Sequence, residues 1–256
     1  MQRVRPIVVL LALAALTGCG GDARAPAPAP EPAPPVLPDG PATVLEPQVT
    51  ATPEPRITRI APAVGARDGR IQLRAAPGGR GVGAIGPVTE FGSRRTVSVL
   101  ARRGDWLKVI VPERPNARPA WIRAARARLG ATDVALVIDL SGRTLAIRTD
   151  GHTTARMPVG IGAPYHPTPT GRFAVTDKLR MGGPGTTYGC CALALSAHQP
   201  NVPDTWNGLD RIAIHGTQSP QTIGLAASLG CLHAHERDLH RLMRIVPIGA
   251  PVFIRA

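Results

Sequence analysis

His215 and Cys231 are the two residues of this chain whose types and settings suit shared chemistry. They lie in the stretch I-A-I-H-G-T-Q-S-P-Q-T-I-G-L-A-A-S-L-G-C-L-H, from Ile212 to His233. The alternation of Ile212 and Ile214 predicts a short strand that ends on His215, because neighbouring side chains on a strand face opposite ways. Gly216 and Thr217 break that strand, and the tight turn Ser228-Leu229-Gly230 presents Cys231. A free thiol has a pKa of about 8.5, so at neutral pH only a few per cent is the nucleophilic thiolate. An imidazole beside it can take the proton, which makes the pair a candidate nucleophile and base for acyl transfer. The same residues also suit a core, since free cysteine buries readily as a small apolar side chain.

The wording around the pair resembles the YkuD family of L,D-transpeptidases. Its signature is I-H-G-T, an I-G a few residues on, then S-H-G-C, an apolar residue, and Arg or Asn. His215, Gly216, Thr217, Ile223, Gly224, Ser228, Gly230, Cys231 and Leu232 stand in matching places. Leu229 stands where the family has its second histidine, and His233 where it has Arg or Asn. The T-P-x-G-x-F element is matched by Thr168 to Phe173, so the resemblance extends over nearly all of residues 133–256.

What the resemblance implies is specific. Cys231 is the acylated nucleophile, His215 its base, and the Gly216 carbonyl holds the far imidazole nitrogen. Tyr188, Ser228, Gly230 and His233 bind substrate, with backbone N–H groups near Gly230 and Cys231 holding the oxyanion. His233, when protonated, replaces the family cation; imidazole titrates near pH 6.5. The implied reaction joins donor and acceptor peptidoglycan stem peptides in 3→3 cross-links through a cysteine thioester. Water as acceptor makes it an L,D-carboxypeptidase, and Leu229 and His233 keep open a catalytically weak wall-binding lipoprotein. No metal or cofactor is implied, and carbapenems are the implied inhibitors. Zinc held by His233, His235 and a cysteine lacks the usual paired spacing.

The elements that must position these residues are mostly strands. Ala135 to Leu140, Thr144 to Ile147, Met157 to Gly162, Ala192 to Leu195 and Ala250 to Ile254 are predicted strands. A helix is predicted from Glu236 to Val246, with Leu239, Leu242, Met243 and Val246 on one face and Pro247 and Gly249 ending it. The Gly- and Pro-rich stretch from Asp177 to Gly208 is predicted as a long loop over the site. Cys190 and Cys191 lie within it, free, joined to each other, or one of them bridged to Cys231, and His152, His166, His198 and His240 have no evident partners.

Upstream, residues 57-130 read as short strands. L-R-A-A-P-G-G, E-F-G-S, G-D-W-L-K-V and P-A-W-I resemble bacterial SH3-like domains, with Trp106 expected in the core. The fold class expected is therefore mainly β: a small SH3-like β-barrel, then at 131-256 a YkuD-type β-sandwich or barrel with one C-terminal helix. Residues 1-18 read as a lipoprotein signal: Arg3 and Arg5 precede an apolar run from Ile7 to Leu16, too short to span a bilayer. Leu16-Thr17-Gly18-Cys19 resembles a lipobox, which implies an acylated Cys19 anchoring the protein at the membrane, facing the cell wall. Residues 19-56 are a Pro/Ala-rich tether that favours polyproline II. The net charge of +13 comes almost wholly from arginine. Those arginines are scattered and the signal exports the chain, so nucleic acid is excluded as partner and anionic wall polymers are favoured.

Overall fold

The computed structural model describes residues 60–62, 69–201 and 210–256. The signal at 1-18, Cys19 and the tether at 19-56 lie outside the described residues. Among the described residues no helix is long and apolar enough to cross a membrane.

Alternating apolar residues set the first sheet. β1 (Ile60–Pro62), β2 (Ile71–Arg74), β3 (Gly81–Ile85), β4 (Thr96–Arg103), β5 (Trp106–Ile110) and β6 (Ala120–Arg123) pair antiparallel in the order β1-β4-β5-β6-β2-β3. Ile71, Leu73, Leu107, Val109 and Ile122 fill its core. Trp106 does not. Leu107 and Val109 take the inward positions of β5, so the period of two turns Trp106 to the other face. There it is half-buried, with the Arg123 guanidinium 4.4 Å from its ring centroid.

The second sheet has eight strands. They are β7 (Val134–Asp139), β8 (Thr144–Thr149), β9 (His152–Pro158), β11 (Gly171–Arg180), β12 (Cys191–His198), β13 (Arg211–His215), β15 (Leu232–His233) and β16 (Pro251–Arg255). Their order is β15-β13-β12-β11-β16-β7-β8-β9, while β10 (Ile161–Gly162) and β14 (Ala226–Ser228) pair separately. β11 is the seam of the curl. Gly171 to Ala174 pair with β16, and Val175 to Arg180 pair with β12 after a register shift. Both halves of the curled sheet contribute to one core, with Leu136, Ile138 and Leu145 from one side and Leu193, Ile212 and Ile214 from the other.

α1 (Glu236–Ile245) is where the helical periodicity placed it. Leu239 and Leu242 are fully buried, and Glu236 and Asp238 sit in the first turn, where the helix dipole favours anions. The long loop is shorter than expected. Asp177 to Arg180 complete β11 and Cys191 to His198 form β12, which leaves a flap of Met181 to Cys190. The alternating apolar run C-A-L-A-L-S-A overrides the glycines before it.

Polar side chains join the two sheets. Thr89 donates its hydroxyl to the fully buried Asp177 carboxylate, and Arg211 pairs with Glu90. Asn116 donates to the His198 carbonyl at 2.6 Å and accepts from the His198 N–H at 2.9 Å. His198, expected on the surface without a partner, has both ring nitrogens against acceptors: Asp210 at 2.8 Å and the Pro112 carbonyl at 2.5 Å. Strand periodicity carries no information about such contacts between distant loops. Because Asp177 is out of contact with water, Thr89→Val should leave its carboxylate short of a donor and cost about 1–3 kcal/mol. Urea unfolding measures this; an unchanged midpoint would show that the Thr89–Asp177 contact does not hold the sheets together.

Candidate functional site

β13 and β15 run parallel, with Ile214 opposite Leu232 and His215 opposite His233. Ile212 and Ile214 point into the core, so Ala213 and His215 face the other side. On the neighbouring strand Cys231 and His233 take that same side. The sheet thus brings Cys231, His215 and His233 onto one face from separate segments.

His215 is 4% exposed. Its Nδ1 lies 2.5 Å from the Gly216 carbonyl, which can only accept, so Nδ1 carries the proton and Nε2 presents a lone pair. Burial, and to a smaller degree the neighbouring His233, push the His215 pKa down to about 4, against the opposing pull of the Gly216 carbonyl. Burial pushes the Cys231 thiol up. Sγ accepts from the Ala213 N–H at 3.4 Å and sits 3.8 Å from the Arg211 carbonyl. At neutral pH the thiol and the imidazole on this face are therefore both uncharged, not a thiolate–imidazolium pair.

The turn before Cys231 is held from three sides. Gly230 has φ +115°, and a Cβ there would run into the Gln199 amide. Gln199 donates to the Leu229 carbonyl at 3.0 Å, and Thr168 donates to the Gly230 carbonyl at 2.8 Å. Ser228 Oγ accepts from the Gly230 N–H at 3.0 Å and donates to the Cys231 carbonyl at 2.6 Å. Two sequence expectations change here. Ser228 is buried and spends both roles of its hydroxyl on the turn, so it does not face substrate. The Gly230 N–H is likewise committed and does not point at an oxyanion. Leu229 projects outward, half exposed.

His233 also departs from expectation. Thr222 donates its only hydroxyl proton to the Ser219 carbonyl at 2.7 Å, so toward His233 Nδ1, 3.2 Å away, it can only accept. Burial lowers the His233 pKa. His233 is thus a neutral imidazole at pH 7, and a surrogate for arginine only in acid. Its ring centroid lies 5.0 Å from that of His215, and the Tyr188 ring lies 4.9 Å from His215 on another side, edge-on.

The flap closes onto His215 through backbone. The Gly216 N–H donates to the Tyr188 carbonyl at 2.9 Å. A Cβ on Gly216 would lie 2.7 Å from the Gly189 Cα, and one on Gly189 would strike the Glu236 carboxylate. Glu236 accepts from the Cys190 N–H at 3.1 Å. Thr168 opens the T-P-x-G-x-F element, whereas Glu236, Thr222 and Gln199 carry no local signature of a site beyond the place of Glu236 in the first turn of a helix. Between the flap and the loop after β13 opens a cleft of about 620 Å³, lined by Pro184 and Gly185 of the flap, Thr217, Ile223, His235 and Glu236. Among the described residues, the one group of side chains placed to share a metal ion is Cys190, Cys191 and His240, not His233 and His235.

Residues 133–254 match the family model of the L,D-transpeptidase catalytic domain, YkuD. Over 119 residues the chain is 33% identical to the YkuD protein of Bacillus licheniformis, named for L,D-transpeptidase activity, covering 46% of this chain and 64% of that one. It is 30% identical to the Bacillus subtilis strain 168 protein of the same name, with the same 46% and 64% coverage. The chain thus spans a little under two thirds of the length of these curated relatives. Among solved structures, an L,D-transpeptidase from Mycobacterium tuberculosis H37Rv is 20% identical, covering 53% of this chain and 64% of that one, with a TM-score of 0.41.

A neutral resting thiol has a direct consequence. Thiolate is the species that reacts with iodoacetamide, and below the thiol pKa its fraction grows about tenfold per pH unit. The alkylation rate of Cys231, followed by peptide mass spectrometry, should rise steadily from pH 6 through pH 9 without levelling. A plateau beginning near pH 6 would reveal a preformed ion pair instead.

Proposed function

We propose that this protein is a cell-wall L,D-transpeptidase in which Cys231 is the nucleophile and His215 the base. The observation that carries the reading is the parallel pairing of the end of β13, which holds His215, with β15, which Cys231 immediately precedes, with His215 Nδ1 tied to the Gly216 carbonyl so that Nε2 can accept. The family match over residues 133–254 supports it.

In this reading a donor stem peptide enters the cleft between the flap and the Thr217–Ile223 loop. The thiol leaves its contact with the Arg211 carbonyl by rotating about χ1. As Sγ bonds to the carbonyl carbon before the terminal D-Ala, its proton passes to His215 Nε2. Neither group is ionised at rest, so transfer accompanies attack, and His215 acts as a general base. The oxyanion falls to the Cys231 N–H and the Tyr188 hydroxyl, since the Gly230 N–H is engaged by Ser228. Collapse breaks the C–N bond, and D-Ala leaves with the proton from His215. The amine of an acceptor stem then attacks the thioester, gives its proton to His215, and forms the 3→3 link; the thiol regains that proton. Cys19 holds the protein at the membrane, the tether extends it into the wall, and the SH3-like segment positions it there.

Incubation with disaccharide-tetrapeptide should yield cross-linked dimer and a thioester mass on Cys231. Cys231→Ala should abolish both, together with any carbapenem adduct, while leaving the fold intact. His215→Ala should slow acylation by about 10²–10⁴-fold, the usual worth of a general base. Dimer formed by the Cys231→Ala protein would overturn the assignment. Release of D-Ala without dimer would mark the carboxypeptidase instead.

A further inference from the structure

The foot of the flap carries a cluster that acyl transfer does not use. Cys190 ends the flap, Cys191 begins β12, and their sulfurs are joined to each other. His240 approaches from α1, and the ligand atoms of all three residues lie within 4.8 Å of one another. Glu236 and His240 are four apart and so share one face of α1. Glu236 grips the Cys190 N–H, which sets the pair against the helix. Cys191 is buried, Cys190 half-buried and His240 exposed, so the group opens to solvent on the histidine side.

Two thiolates and an imidazole are ligands for soft or borderline ions, not for Ca²⁺ or Mg²⁺. Metal–sulfur bonds of about 2.3 Å and metal–nitrogen bonds of about 2.0–2.1 Å put the ligand atoms of one ion less than about 4 Å apart. Atoms already within 4.8 Å reach that spacing by side-chain rotation once the S–S bond is cut. We propose that Cys190, Cys191 and His240 form a binding site for a thiophilic metal ion of the zinc class, opened by reduction and closed by the disulfide.

The chemistry balances with a dithiol reductant. Thiol–disulfide exchange transfers two electrons and two protons, turning the vicinal disulfide into two thiols and the reductant into its own disulfide. A divalent ion then displaces both thiol protons and takes a ring-nitrogen lone pair of His240, with water completing a tetrahedral set. Metal or disulfide would each fasten the flap foot, and the metal alone would tie it to α1. Tyr188, against the His215 ring, lies in the same flap.

The test uses the full chain carrying Cys19→Ser and Cys231→Ser, so that the vicinal pair supplies the only thiols. After phosphine reduction and anaerobic desalting, titration with Cd²⁺ should saturate at one ion per chain. An ultraviolet thiolate-to-cadmium band should grow and two protons should be released. Zn²⁺ should compete. The unreduced chain should show no band, and Cys190→Ser, at a half-buried position, should lose it. His240→Ala, at an exposed position that leaves the fold undisturbed, should weaken binding at least about tenfold. Absence of the band after reduction would overturn the proposal. So would full affinity in His240→Ala, which would reduce the site to a bare dithiol, or equal binding by the oxidised chain.

Discussion

At Gly189 and Gly216 two stretches of backbone come so close that neither residue can carry a side chain. The flap and the end of β13 are thereby held in van der Waals contact, with the Glu236 carboxylate wedged beside them. The contact fixes the backbone of Gly216 on both sides: its N–H, in the peptide from His215, meets the Tyr188 carbonyl, and its own carbonyl, in the peptide to Thr217, receives the His215 Nδ1 proton. A histidine in a dry site is a usable base only if its bare nitrogen faces the group to be deprotonated. That orientation is fixed by the Gly216 carbonyl, and the Gly216 backbone by its close contact with Gly189. The same burial that excludes water lowers the His215 pKa to about 4 and raises that of Cys231. The result is a pair that stays uncharged until substrate arrives.

The other partner is positioned by a separate device. Gly230 adopts a backbone conformation that L side chains rarely take, and Gln199 and Thr168 seal the space above it. Ser228 closes the turn on itself with one hydroxyl. Turn, flap and strand meet only through tertiary contact, so the geometry depends on the curl of the eight-stranded sheet and on the polar seam to the first sheet. Arg211 links these levels: its carbonyl faces the thiol, while its guanidinium reaches Glu90 across the seam.

Much of this was legible in the sequence, and the boundary of legibility is physical. Ile212 and Ile214 announce a strand that ends on His215, and Leu239, Leu242 and Val246 announce α1, because both follow from the period of buried side chains. Trp106 was expected in the core for its size, against that same period. Its strand was recognised, but the face that a tryptophan takes depends on which neighbours fill the core. The loop was drawn too long: the strand expected at Ala192 to Leu195 runs from Cys191 to His198, and β11 reaches Arg180. Glu236, Gln199 and Thr222 stayed invisible, and Thr168 showed only as part of a motif, since each acts on a residue distant in sequence through a hydrogen bond that leaves no periodic trace. The hydrogen bonds of Ser228 and Thr222 could not be read in advance for a related reason: a hydroxyl has one proton, and which acceptor takes it is decided in three dimensions.

The central claim is that the flap backbone holds His215 as a neutral Nδ1–H tautomer with Nε2 free. Long-range ¹H–¹⁵N correlation spectra of the histidine rings, with His215 assigned by its loss in His215→Gln, read the tautomer directly. The account predicts a protonated Nδ1 and an unprotonated Nε2 that persist from pH 8 down to about pH 5, with protonation of Nε2 setting in near pH 4. An imidazolium signal for His215 at pH 7, or a neutral ring protonated at Nε2, would contradict it.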